Sequence, residues 1–149
     1  MAVVDLYGLG VRSRVETLGT RADELTDAVR RAWSRCLTPG GGEAEGGRFT
    51  LELSEGGDVG SPRDAAPGKL TALASADPDA LLQSLTQAVT AASIQARTGE
   101  LLMFHAGAVA EVRSGAALGF VAPGGTGKTT LARRLGASLG YLTDETVGV

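Results

Sequence analysis

Eight consecutive residues, Ala122-Pro-Gly-Gly-Thr-Gly-Lys-Thr129, have the types and spacing that bind phosphate. A small residue, four intervening positions and then Gly-Lys-Ser/Thr is the pattern of a loop whose backbone wraps a nucleotide, provided a strand precedes it and a helix follows. Ala122 stands where glycine is commoner. The N–H groups of Gly124, Gly125, Thr126, Gly127 and Lys128 can curl into a concave anion site, because glycine admits unusual backbone angles and the close approach of an oxyanion. The positive end of a helix starting near Lys128 strengthens it. In this reading Lys128 reaches the β- and γ-phosphates of ATP, Thr129 ligates Mg²⁺ through its hydroxyl, and Thr130 contacts the α-phosphate. The competing reading is a plain glycine-rich turn.

A second chemical feature follows. Tyr141-Leu-Thr-Asp144 reads as a short strand ending in an acid. Asp144 can ligate Mg²⁺ or orient a water on it, and Glu145 beside it can serve as a second ligand or a proton acceptor. A solvated acidic turn is the alternative.

These residues need elements to position them. Residues 116–121 are an apolar run that delivers the chain into the loop, and 129–139 have the pattern of an amphipathic helix. Leu131, Leu135 and Leu139 would be buried there, with Arg133 and Arg134 outward and Gly140 as terminator. Upstream, 101–104 and 106–112 are two further apolar runs, which makes a strand meander. Asp77-Pro78-Asp79 opens a long helix that Gly99 ends, with Leu81, Leu82, Leu85, Val89, Ala92 and Ala96 as its apolar stripe and Arg97 complementing its dipole. Residues 48–53 and 69–74 alternate as half-buried strands, for which antiparallel pairing is expected. Thr20 is placed to cap a helix running to Leu37 and anchored by Trp33, and 39–47 reads as a mobile glycine-rich loop. The first residues form two strands turning at Gly8-Leu-Gly10. Ser13, where a third glycine would be needed, argues against a dinucleotide fingerprint there.

Composition sets outer bounds. The chain has 149 residues, 43% of them hydrophobic and 21% charged, which suits one compact domain or a domain with a small annex. A net charge of −3 with no Lys/Arg run argues against nucleic acid or an anionic membrane as partner. Cys36 is the one cysteine, so no disulfide framework or cysteine-based zinc site is expected. No apolar stretch reaches the ~20 residues of a membrane helix, and a cytoplasmic setting is expected.

Three segments together carry a resemblance: Leu102-Met-Phe-His105-Ala-Gly-Ala108, Gly119-Phe-Val-Ala-Pro-Gly-Gly-Thr-Gly-Lys-Thr-Thr130 and Gly140-Tyr-Leu-Thr-Asp-Glu145. They resemble the C-terminal domain of HPr serine kinase/phosphorylase and its relatives, over residues 101–149. The resemblance implies a phosphate loop in a phosphoenolpyruvate-carboxykinase-like fold, with ATP and Mg²⁺, phosphorylating a serine on a protein or peptide. Some of the relatives phosphorylate precursor peptides of natural products. Lys128 and Thr129 fall on the family's phosphate and metal positions. Asp144-Glu145 falls where the family has an Asp-Asp pair, so the Glu is a departure. His105 matches a histidine before the loop, for which a phosphate-sensing or active-site role and a structural role both stand open. The family continues well past the acid pair. A chain ending at Val149 is therefore expected to be a truncated piece or an incomplete reading frame, completion by another subunit being the alternative; a homo-oligomer stands separately among the expected partners.

The expected fold class is α/β: an N-terminal α+β segment over 1–100, then the start of a phosphate-loop, HPr-kinase-like nucleotide-binding domain over 101–149. The expected activity is ATP-dependent phosphoryl transfer to a hydroxyl on a protein or peptide, with Lys128, Asp144 and Glu145 as catalytic groups. A small-molecule kinase and a non-catalytic nucleotide-binding or scaffold module are the alternatives. An assembly-driving ATPase is disfavoured for want of an arginine finger.

Overall fold

A computed structural model of the chain describes residues 1–57 and 59–149, so the turn-rich stretch expected over 56–68 is described at every position but 58. The architecture is mixed α/β and divides into two compact units, Met1–Thr98 and Gly99–Val149. No helix among the described residues is long and apolar enough to cross a membrane.

In the first unit, β1 (Ala2–Gly8) and β2 (Val11–Leu18) form an antiparallel hairpin closed by Leu9 and Gly10. Both turn residues are left-handed, with φ of 50° and 75°. That geometry suits the twist of a two-residue hairpin, although it costs about 1 kcal/mol at a side chain such as Leu9. The chain continues through α1 (Ala22–Ala32), β3 (Gly47–Leu53), β4 (Leu70–Ser75) and α2 (Pro78–Ala96). The sheet order is β1-β2-β3-β4. Val4, Leu6, Val15, Phe49, Leu51 and Leu73 from the sheet meet Leu25, Val29, Leu81, Leu85, Val89 and Ala92 from the helices in one core, with Trp33 packed at its margin.

Several expectations are corrected here. β3 and β4 pair in parallel, their connection passing through a 3-10 turn at Pro62–Asp64 instead of forming a hairpin. Alternation reveals which face of a strand is buried but not which way its neighbour runs. The helix α1 ends at Ala32, short of Leu37, and Arg21 occupies its N-cap position without a side-chain capping bond. The released segment covers the outer edge of β1: Tyr7 N–H donates to the Cys36 carbonyl at 2.7 Å, and Thr38 N–H to the Asp5 carbonyl at 3.1 Å. Arg97, expected to complement the dipole of α2, donates instead to the carbonyls of Leu9, at 3.3 Å, and Gly10, clamping the hairpin turn.

The loop expected to be mobile is also tied down. Asp5, buried on the sheet face away from the helices, takes two bonds from the Arg14 guanidinium at 2.9 and 3.2 Å. Arg12 lies 3.7 Å from the same carboxylate and donates to the Pro39 carbonyl at 2.7 Å, while Gly46 N–H donates to the Arg12 carbonyl at 2.8 Å. The hydrogen bond from Arg14 holds the Asp5 carboxyl below its ordinary value against the opposing effect of burial, helped by the charge of Arg14, a bond from the Gly41 backbone and the charge of Arg12. Glycine at 41 and 42, with φ of 112° and 99°, lets the backbone bend over this cluster.

In the second unit, β5 (Met103–Ala110) is central. On one edge it pairs antiparallel with β6 (Ala117–Val121), and on the other with β7 (Gly140–Thr143) and then β8 (Thr146–Gly148). The two apolar runs of the sequence are thus a single strand continuing through His105, which a polar residue can occupy because that position is exposed. The helix α3 (Lys128–Leu135) packs on β5 and β7.

The Asp5 cluster yields a pH prediction. A carboxyl whose folded pKa lies below its unfolded value of about 3.9 contributes stability that is complete above that value and lost as pH falls through the folded one. Acid unfolding followed by circular dichroism should therefore show a stability loss below about pH 4 that is visibly flattened in Asp5→Asn. A variant with an unchanged acid limb would remove Asp5 from the pH dependence.

Candidate phosphate-binding site

The strand β6 ends at Val121, residues 122–127 form the loop, and α3 begins at Lys128, so the strand–loop–helix order required of the motif is present. Gly125 and Gly127 have φ of 77° and 91°, in the left-handed region where glycine is favoured; Gly127 is also the N-cap of α3. A Cβ added at Gly124, Gly125 or Gly127 would meet nothing within 4 Å, so open space lies over the loop. The first rung of the helix is Leu131 N–H to the Gly127 carbonyl at 2.9 Å, which leaves the amides before it ahead of the helical ladder.

Lys128 is 8% exposed, and its Nζ donates to the carbonyls of Ala122 at 2.7 Å and Pro123 at 3.1 Å. Thr126 Oγ1 donates to the same Pro123 carbonyl at 2.7 Å. The ammonium thus staples the entry of the loop to the start of the helix. Lys128 lies on the buried side of α3: the residue four on, Ala132, is fully buried, whereas Leu131 is 45% exposed. Of the expected stripe, Leu131 is exposed while Leu135 and Leu139 are half-buried, and the helix stops at Leu135 with Gly136 as cap, before the expected Leu139. A small side chain at the closest approach lets α3 lie near the sheet. Thr129 and Thr130 are exposed on its first turn.

Because β6 and β7 are both antiparallel to β5, they run parallel to each other with β5 between them, joined through α3. Their C-terminal ends lie at nearly the same level of β5, Val121 opposite Ala106 and Thr143 opposite Ala108. The loop and the acid pair consequently leave the same end of the sheet. The Thr143 hydroxyl accepts from the N–H groups of Glu145 at 3.2 Å and Thr146 at 3.3 Å, which shapes the kink carrying Asp144 and Glu145. Ala106 N–H donates to the Glu145 carbonyl at 3.1 Å and returns the chain to β5. Asp144 is half-buried with Oδ1 accepting from the Tyr141 hydroxyl at 2.6 Å, and Glu145 is exposed. His105 lies opposite Thr146 in register with an exposed side chain.

No group of three or more His, Cys, Asp or Glu suited to a metal occurs among the described residues. A Mg²⁺ ion bound with nucleotide does not need one, since waters and phosphate oxygens complete its shell around one or two protein oxygens. The oxygens of Thr129 and Asp144 have the right hardness for it. Cys36, the remaining reactive type, is half-buried, and burial pushes its thiol up, which is unfavourable for a thiolate nucleophile. The contribution of Tyr141 and Gly107 was not visible in the sequence patterns: one acts through a hydroxyl three residues from an acid, the other by lacking a side chain.

Gly107 faces the ring of Phe120 across the β5–β6 pair, in a space that a Cβ would invade. Gly107→Ala should destabilise the protein by about 1–3 kcal/mol in denaturant melts, and Phe120→Ala in the same chain should recover part of that loss. Strict additivity of the two changes would dismiss the steric coupling. Comparisons with protein-family models, curated proteins and solved structures found no match to this chain.

Proposed function

We propose that the segment from β6 to the Asp144–Glu145 kink binds Mg-ATP and transfers its γ-phosphoryl group to a hydroxyl, with a serine on a protein or peptide as the acceptor. The observation that carries this reading is the β6–loop–α3–β7 crossover around β5, which brings a Gly-Lys-Thr loop and a carboxylate pair to one end of one sheet. Such convergence is what nucleotide chemistry requires and what a glycine-rich turn has no need of.

The amides of Gly124, Gly125, Thr126, Gly127 and Lys128 would receive the phosphates, with Thr130 near the α-phosphate. Lys128 would exchange its two carbonyl acceptors for β- and γ-phosphate oxygens and neutralise charge that develops during in-line attack. Mg²⁺ held by Thr129 and Asp144 would supply further neutralisation of the charge that develops on the transferred group. Asp144 or Glu145 would orient the acceptor hydroxyl and take its proton as the O–P bond forms and ADP leaves. The HPr-kinase-like assignment and a cytoplasmic location belong to this same proposal, the latter favoured by a requirement for ATP and an unpaired cysteine.

Two variants test it. Lys128→Ala should weaken Mg-ATP binding measured by calorimetry at least about a hundredfold, ~2.7 kcal/mol, with the far-ultraviolet circular dichroism preserved; unchanged affinity would sink the site assignment. Asp144→Asn should keep nucleotide binding while losing Mg²⁺-dependent turnover. Equal turnover would take Asp144 out of the mechanism.

A further inference from the structure

We infer that Tyr141 is a positioning residue that holds the Asp144 carboxylate in one orientation for the metal, an inference that rests on the phosphoryl-transfer reading above. Residues 141 and 144 are three apart, and in an unbroken strand their side chains would leave opposite faces of the sheet. The register prevents this. Tyr141 pairs with Val109 and Thr143 with Ala108, so Leu142 is an extra residue, and the bulge returns Tyr141 and Asp144 to the same side. The Tyr141 hydroxyl then donates to Asp144 Oδ1 at 2.6 Å, a length typical of a hydrogen bond to an ionised carboxylate. A carboxylate with one oxygen tied in this way keeps the other for a cation or its water.

The other end of Tyr141 is fixed as well. A Cβ on Gly136 would lie 3.0 Å from the Tyr141 Cβ and 3.4 Å from its ring, so the phenol packs against the cap of α3. Lys128 opens that helix and Gly136 closes it. Tyr141 therefore joins the end of the lysine-bearing helix to the acid. Bulges that re-aim a side chain are characteristic of functional edges, and partners that orient a metal-associated carboxylate commonly change metal affinity 10–100-fold when removed.

The test uses the full 149-residue chain and Tyr141→Phe, which retains the ring and its packing against Gly136. Two quantities are measured: the Asp144 χ1 rotamer population from three-bond NMR couplings without nucleotide, and the Mg²⁺ concentration that half-saturates ATP binding. The expected result is a single rotamer in the wild type, averaging in Tyr141→Phe, and a rise of roughly tenfold or more in the Mg²⁺ requirement. Mg²⁺-free ATP affinity should be unchanged, and Tyr141→Phe should add no further rise in an Asp144→Asn background. A rotamer equally fixed in both chains overturns the positioning role, whatever the nucleotide results. A rotamer change with an unaltered Mg²⁺ requirement overturns its link to the metal. Failure of the wild type to bind Mg-ATP overturns the underlying phosphoryl-transfer reading, and the inference with it.

Discussion

Strand β5 is hydrogen-bonded along both edges, and the candidate site follows from that pairing. One edge takes β6; the other takes the stretch from Gly140 to Gly148, kinked once at the acid pair. Two strands antiparallel to a common neighbour must be parallel to each other, and a chain passing between them needs a crossover. Here α3 supplies it. A loop leaving β6 and a kink leaving β7 then emerge together without any direct contact being needed between them. Small residues allow the arrangement: Gly107 admits the Phe120 ring, and Ala132 is the buried residue at the centre of α3.

The first unit solves a different problem. Its helices cover one face of the sheet, and the other face is polar, with Arg12, Arg14 and Asp5 arranged across the hairpin. A buried carboxylate without partners would be costly, so the arginines and a backbone amide of the glycine loop converge on it. The loop's order comes from this charge cluster and from its bonds to β1 and β2, since it has little apolar surface to bury. Arg97 acts similarly at the hairpin turn itself, where carbonyls presented by a strained turn attract a guanidinium.

What local patterns foretold and what they missed divide along physical lines. Alternating residues 48–53 and 69–74 marked two strands, observed at Gly47–Leu53 and Leu70–Ser75, and Asp77-Pro78 marked the start of α2, because both signals depend only on neighbours in the chain. Asp77 does cap α2, accepting from Asp79 N–H at 3.0 Å. The end of α1, the parallel pairing of β3 with β4 and the order of the glycine loop depended on partners 27 or more residues away or on crossover geometry, and no local pattern encodes them. At the candidate site, the glycines, lysine and threonines of the loop were legible as a motif. The rotation of α3, the bulge at Leu142 and the bond from Tyr141 to Asp144 were not.

By itself, then, the sequence determined the element types, the strand–loop–helix context of Gly-Lys-Thr and the presence of an acid soon after. These rest on periodicity, turn chemistry and residue spacing, which act over a few residues. Tertiary structure alone decided that the loop and the acid share one end of a sheet, that Lys128 is buried against loop carbonyls, and that Tyr141 reaches Asp144. Strand direction and register decided the first and third, and packing of α3 on the sheet the second, because each is settled by contacts between segments distant in the chain or by a one-residue shift in pairing.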